Sequence, residues 1–247
     1  MSYTACMSNS PTVSPPHAAV VPVPRLENDF YDWDARHAAK CRAAAAGNHD
    51  LVFIGDSITH LFEGDPAWPG RGEQVWAEFY GHHKVLNLGY GWDRTQNVLW
   101  RLAHGEFANQ APRLVVLLIG TNNLAGTPNC IASTPEQTVE GIQMVCTTIA
   151  AAAPVAHILL MAVLPRGTPQ EQARPDIRRI NQQLEAFARA ATQMTYLDIG
   201  PRFLDPSGNI PLALMDDLCH PTAAGYRIWA QAIEPIVRRH VCSGCNV

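Results

Sequence analysis

Short apolar runs punctuate this chain at residues 51–55, 85–88, 114–119, 158–163 and 196–199, and a stretch of helical spacing separates most of them. Runs of this length, bounded by glycine, proline or small polar residues, read as strands buried on both faces. Consecutive strands joined by helices run parallel, with right-handed crossovers. The expected class is therefore α/β: a three-layer α/β/α sandwich around a five-stranded parallel sheet of flavodoxin-like order, 2-1-3-4-5. Helices are expected over 30–46, with Asn28 and Asp29 as cap and Gly47 as stop, and over 95–104, 175–191 and 222–240. A further helix opens on Thr134-Pro135-Glu136-Gln137, a capping box with proline in the first turn, and runs to about residue 153. Residues 63–72, which hold Trp68, read as loop.

With 247 residues, 47% hydrophobic and 16% charged, the chain can bury a full core. Residues 1–26, rich in Ser and Pro, read as a flexible arm, 27–241 as one domain and 242–247 as a tail. The arm lacks the pattern of a signal peptide, so a cytoplasmic location is expected. A net charge of -4, with no basic run longer than Arg178-Arg179 or Arg238-Arg239, gives no nucleic-acid footprint. No apolar segment approaches the roughly 20 residues of a membrane span. Seven scattered cysteines form no disulfide framework. Cys242 and Cys245 read as tail thiols, with a tail disulfide left open, and Cys41 and Cys146 as small buried hydrophobes. No metal site or cofactor is expected; His60, His82 and His83 lack convergent ligands, and no glycine-rich phosphate motif succeeds a strand. Sixteen arginines against two lysines suggest a GC-rich bacterial source.

The residues with chemical potential sit at the carboxyl ends of the apolar runs. Gly55-Asp56-Ser57 ends the first, Gly89 the second and Gly120-Thr121-Asn122-Asn123 the third, while Asp216, Asp217 and His220 lie in the loop after the fifth. In a parallel sheet these points share the carboxyl edge, where open α/β sheets bind ligands. A serine hydroxyl needs a base to attack an ester, His220 is such a base, and Asp217, three residues earlier, can orient it. Asp216 is the less usual alternative. The N–H groups of Ser57 and Gly89 and the Asn122 amide suit an oxyanion. Taken singly, each has a plainer explanation. Ser57 could cap a helix, Asn122 or Asn123 could serve a turn, and His220 could be a loop histidine. Asp56 reads as a support of the turn.

These residues resemble the SGNH, or GDSL, hydrolases, in their first, second, third and fifth sequence blocks. The stretch from Asn87 through Trp92-Asp93-Arg94-Thr95, then Leu99-Trp100-Arg101-Leu102, Gly105-Glu106 and Leu164-Pro165-Arg166-Gly167, is similar to the catalytic subunits of intracellular platelet-activating-factor acetylhydrolase and their bacterial relatives. The resemblance implies a triad of Ser57, Asp217 and His220 and an oxyanion hole of Ser57, Gly89 and Asn122. It implies a metal-independent serine esterase acting on a small-molecule ester, chiefly a short acetyl ester. Trp92 stands where many relatives carry glycine and is expected to narrow the acyl pocket. Arg94 and Arg166 are expected at the same edge, facing an anionic group or pairing with acids such as Asp93. Other activities stay open: deacetylation of sugars stacked on Trp68, Trp76 or Trp92, hydrolysis of longer acyl lipids, or a binding module without activity. A homodimer is also open.

Overall fold

The most apolar run, Leu114–Leu118, occupies the middle of the sheet, where both faces are covered. We describe residues 16–241 in a computed structural model. The strands β1 (Leu51–Gly55), β2 (Val85–Gly89), β3 (Leu114–Leu118), β4 (His157–Met161) and β5 (Met194–Leu197) form one parallel sheet in the order β2-β1-β3-β4-β5. This is the expected order. The register sets Gly55 beside Gly89, so the first two turns leave the sheet at one level.

Alternate residues of each strand feed opposite layers. Val52, Ile54, Val115 and Leu117 face a core with helices α4 (Thr95–Ala103), α5 (Pro135–Ala152) and α6 (Ala173–Arg189). Leu51, Phe53, Val116 and Leu118 face α2 (Ser57–Glu63), α3 (Glu73–Tyr80) and α7 (Ala223–Val241). The capping box at Thr134 is present, with Gln137 N–H donating to Thr134 Oγ1 and Thr134 N–H to Gln137 Oε1. Among the described residues no helix is long and apolar enough to cross a membrane.

The amino-terminal expectations need correction. Helix α1 spans Trp33–Ala46 and is capped by Asp32, which accepts from Ala35 N–H at 2.9 Å. Residues 29–31 stay outside it, because Phe30 packs on His60 and Trp68 and the Tyr31 hydroxyl donates to Gly91 O at 3.2 Å. Nor are residues 16–26 a free arm. Ala18–Val20 form a 3-10 turn with Ala19 buried. Thr95 Oγ1 donates to Ala19 O at 2.8 Å, Val23 N–H to Gln96 O at 3.2 Å and Asn97 Nδ2 to Pro24 O at 2.6 Å. Proline denies this stretch a regular element, yet leaves its carbonyls free to accept from α4. The remainder of the expected arm, and the thiols of Cys6, Cys242 and Cys245, lie outside the described residues. Cys146 is buried as expected, whereas Cys41 is only half-buried.

Candidate active site

Strand β1 delivers Ser57 to the first position of α2, where its N–H is among those with no intrahelical acceptor. Asp56 caps that helix by accepting from Ile58 N–H at 2.9 Å, which answers its expected role as a turn support. Burial pushes the Asp56 carboxyl up to about 7, against the Ile58 hydrogen bond. The Ser57 hydroxyl lies 2.9 Å from His220 Nε2, and His220 Nδ1 lies 2.6 Å from Asp217 Oδ2. With Nδ1 carrying the proton to Asp217, Nε2 is the acceptor for Ser57. Asp217 Oδ1 also accepts from the backbone N–H of Cys219, at 3.0 Å, and of His220, at 2.7 Å. Partial burial opposes ionisation of Asp217, but these hydrogen bonds and the His220 ring hold its carboxyl well below the usual range. Leu218, between them, adopts the left-handed region with φ 61°, and its carbonyl accepts from Gly167 N–H at 2.8 Å.

Asp216 turns elsewhere. It pairs with Arg71 at 2.6 Å, Arg71 lies over the Trp68 ring at 4.7 Å, and Trp68 packs edge-on to His220 at 4.9 Å. A cavity of about 280 Å³ opens over Ser57, lined by Asp29, Phe30, Trp68, Trp92, Asn122, Arg166, Cys219 and His220. Burial pushes the Cys219 thiol up to about 12, so it stays protonated there.

The donors around Ser57 differ in part from the sequence expectation. Asn122 lines the cavity, and one hydrogen of its Nδ2 goes to Asp93 O at 3.0 Å, leaving the other. Gly89 N–H donates to Asn87 Oδ1 at 2.8 Å and is therefore engaged. Glycine is needed at 89 for another reason. A Cβ there would lie 2.2 Å from His60 N, so only glycine lets β2 and α2 approach this closely. Three residues on, Trp92 has φ 60°, lines the cavity while 38% exposed, and its N–H has no hydrogen-bond acceptor among the described residues.

A serine, histidine and aspartate in hydrogen-bonded series, beside unengaged N–H groups, form an arrangement suited to acyl transfer. The GDSL-like lipase/acylhydrolase family model matches residues 53–228, which contain every one of these groups except Asp29 and Phe30. The chain belongs to this family. The acylhydrolase is 29% identical over 224 residues to the alpha1 subunit of platelet-activating factor acetylhydrolase IB from Bos taurus, covering 91% of this chain and 90% of that one. It is 32% identical over 194 residues to the alpha2 subunit from Rattus norvegicus, covering 78% of each chain. In fold it is similar to a GDSL-like lipase from Bacteroides thetaiotaomicron, with a TM-score of 0.66 and 21% identity over 85% of this chain and 99% of the other. As a family member it is a carboxylic-ester hydrolase.

Other expected site residues of the acylhydrolase take different places. Arg166 lines the cavity, but Arg94 does not. Arg94 is fully buried, pairs with Glu27 at 3.0 Å and donates to Asn122 O at 3.1 Å, so it braces the Asn122 turn instead of meeting substrate. Asn123 is structural too, accepting from Thr95 N–H at 3.0 Å. Trp76 belongs to the core. His60 is fully buried and its Nε2–H donates to Asp65 Oδ2 at 3.0 Å; burial, helped by Arg36 and Lys40, drives its pKa down to about 2.

Sequence reasoning missed the buried assembly under the 89–93 loop. Arg101 reaches Asp93 at 2.7 Å, Glu106 and the Gly55 carbonyl, and lies 4.0 Å over the Tyr90 ring. The Tyr90 hydroxyl donates to Glu106, Trp33 Nε1 to Asp93 at 3.0 Å, and Arg36 Nε to Gly89 O at 2.9 Å. Burial pushes Glu106 up, but the Arg101 charge and the hydrogen bonds from His37 and Tyr90 hold it below the usual range. One signal was available: Arg101 falls on the apolar stripe of Val98 and Leu102, where an unpaired arginine is not tolerated.

Proposed function

We propose that this acylhydrolase is a serine esterase for short acyl groups, chiefly acetyl, and that the series Ser57–His220–Asp217 carries the reaction. The observation behind this is the pair of contacts at 2.9 and 2.6 Å at the floor of one cavity. Ser57 Oγ attacks the ester carbonyl while His220 Nε2 takes its proton, and Asp217 stabilises the imidazolium. The tetrahedral oxyanion is received by the Ser57 N–H, the Trp92 N–H and the free hydrogen of Asn122 Nδ2. Each such donor is typically worth about 2.7–4 kcal/mol in the transition state. His220 then protonates the departing alkoxide, leaving an acyl-Ser57. Water, deprotonated by His220, attacks the acyl carbon, and the proton returns to Ser57 as the acid leaves.

Short acyl groups are favoured by a cavity of about 280 Å³, just below the about 300–1,000 Å³ of small-molecule sites, and by the Trp92 indole on its wall. The relatives named as acetylhydrolases point the same way. Hydrolysis of p-nitrophenyl esters from acetyl to palmitoyl tests this, with Ser57→Ala as control. The expected profile peaks at acetyl and falls steeply beyond butyryl. A long-chain optimum would mean an open groove and contradict the acetyl assignment.

A further inference from the structure

The two hydrogen bonds of His220 hold its ring at the nitrogens, one to Ser57 and one to Asp217. They do not fix the tilt of the ring about the line between them. One of them is also lost in the reaction. Once Ser57 Oγ has bonded to the acyl carbon, Nε2 carries the proton and must deliver it to the leaving oxygen. At that moment the ring is held by Asp217, whose side chain is 37% exposed, and by whatever packs against it.

Trp68 packs against it, edge-on at 4.9 Å. Trp68 comes from the segment between α2 and α3, and that segment is tied to α2, the helix that begins at Ser57. Gly72 N–H donates to Leu61 O at 3.1 Å, and a Cβ at 72 would lie 2.6 Å from Phe62 Cα. Trp68 N–H donates to Asp65 O at 3.0 Å, and the Asp65 side chain accepts from His60 on α2, also at 3.0 Å. The Glu73 carboxylate accepts from Gly70 N–H at 2.8 Å and Arg71 N–H at 2.9 Å. Arg71 then joins this segment to the 216–220 loop. Its side chain is buried, Nη1 meets Asp216 at 2.6 Å, and the guanidinium lies over the Trp68 ring at 4.7 Å. One contact bears on the residue before the orienting acid; the other, through Trp68, bears on the base. Arg71 itself does not line the cavity. We infer that Arg71 is a positioning residue for proton transfer: it clamps Trp68 against His220 and holds Asp216, so that the nucleophile helix and the 216–220 loop keep one spacing while His220 moves its proton. This deepens the esterase proposal and rests on it.

The test compares two acetyl esters. p-Nitrophenolate departs without a proton, whereas ethoxide must receive one from His220. Arg71→Met keeps a chain of similar length but neither the ion pair nor the cation–π contact. Misplacing a reacting group by about 1 Å can cost about 10²-fold. Arg71→Met should therefore lower kcat/KM about tenfold on p-nitrophenyl acetate and about 10²-fold or more on ethyl acetate. Both rates are taken per active site, counted by labelling Ser57 to completion with a fluorophosphonate. Arg71→Lys keeps a cation for Asp216 and Trp68 and should recover most of the loss on both esters. Asp216→Asn removes one of the two anchors at an exposed position and should show the same skew at smaller size; it decides the matter if Arg71→Met does not fold. No loss, an equal loss on both esters, or a loss only in the number of labelled sites overturns the inference. Hydrolysis of p-nitrophenyl acetate by wild type but not by Ser57→Ala, alongside that failure, would leave the esterase proposal standing alone. Absence of Ser57-dependent hydrolysis of every ester would remove both.

Discussion

Asp216 and Asp217 are adjacent in sequence yet turn to different partners. Asp217 meets His220 Nδ1 at 2.6 Å, whereas Asp216 meets Arg71. Asp217→Asn should lower kcat by about 10⁴-fold, the loss seen when the orienting acid of a serine-protease triad is replaced in this way, and should lower Tm near neutral pH, because the folded state holds that carboxyl below its ordinary range. Asp216→Asn should cost far less, as it removes a half-exposed ion pair. Steady-state kinetics on p-nitrophenyl acetate check both. Asp56 makes a prediction about pH. Burial raises its carboxyl to about 7 in the folded state. Between about pH 4 and that value the unfolded chain has released the proton and the folded chain keeps it, so its contribution to stability falls as pH rises. Asp56→Asn should remove that slope, read as the change in Tm between pH 5 and pH 8 relative to wild type. The residue scale also shows the limit of motif reading. Ser57, Asp217 and His220 were legible because their types and order announce a chemistry. The sequence reading put an oxyanion donor at Gly89, and a backbone N–H has no sequence signature to correct it; that N–H donates instead to Asn87 Oδ1, two residues before it, and the proposed donor is Trp92.

At the scale of elements, the site depends on how closely β2 meets α2 and on what lies beneath the loop between β2 and α4. Gly89→Ala should cost about 1–3 kcal/mol or more, since its Cβ would collide with the α2 backbone rather than a movable side chain. A lower urea midpoint with unchanged m-value checks this. Arg101→Met should destabilise by about 3–5 kcal/mol, because it strands the buried carboxylates of Asp93 and Glu106. Four strands were legible as compact apolar runs, whereas β5, at Met194–Leu197, was expected two residues later, at 196–199, because its half-buried start at Met194-Thr195 is less apolar than Ile199 beyond its end. The helices were less so. Helix α3 went unread because eight residues, with Val75, Trp76 and Tyr80 buried, are too few to display a period against the adjoining glycines. The start of α1 was read at Phe30 because Asp29 has the chemistry of a cap; its side chain lies instead on the cavity wall, and Asp32 does the capping.

At the scale of the whole molecule, topology brings the site together. The sheet order puts the ends of β1, β2 and β3 on one edge, and the loop after β5 returns His220 across 163 residues to Ser57. That convergence followed from the alternation of strands and helices. The contribution of residues 16–31 did not, because a proline-rich segment docks through its carbonyls and a few side chains, which leave no periodic trace. Deleting residues 1–27 should lower Tm and activity together, since it strips Glu27 from Arg94 and uncovers the α4 donors that brace the Asn122 turn. Acylation of Ser57 is the step on which the whole mechanism turns. It can be trapped by mixing the enzyme with p-nitrophenyl acetate, quenching in acid within the first turnover, and mapping the modified peptide by mass spectrometry. One acetyl group is expected, on Ser57, and none in Ser57→Ala. Acetyl on another residue, or full turnover by Ser57→Ala, would contradict the mechanism.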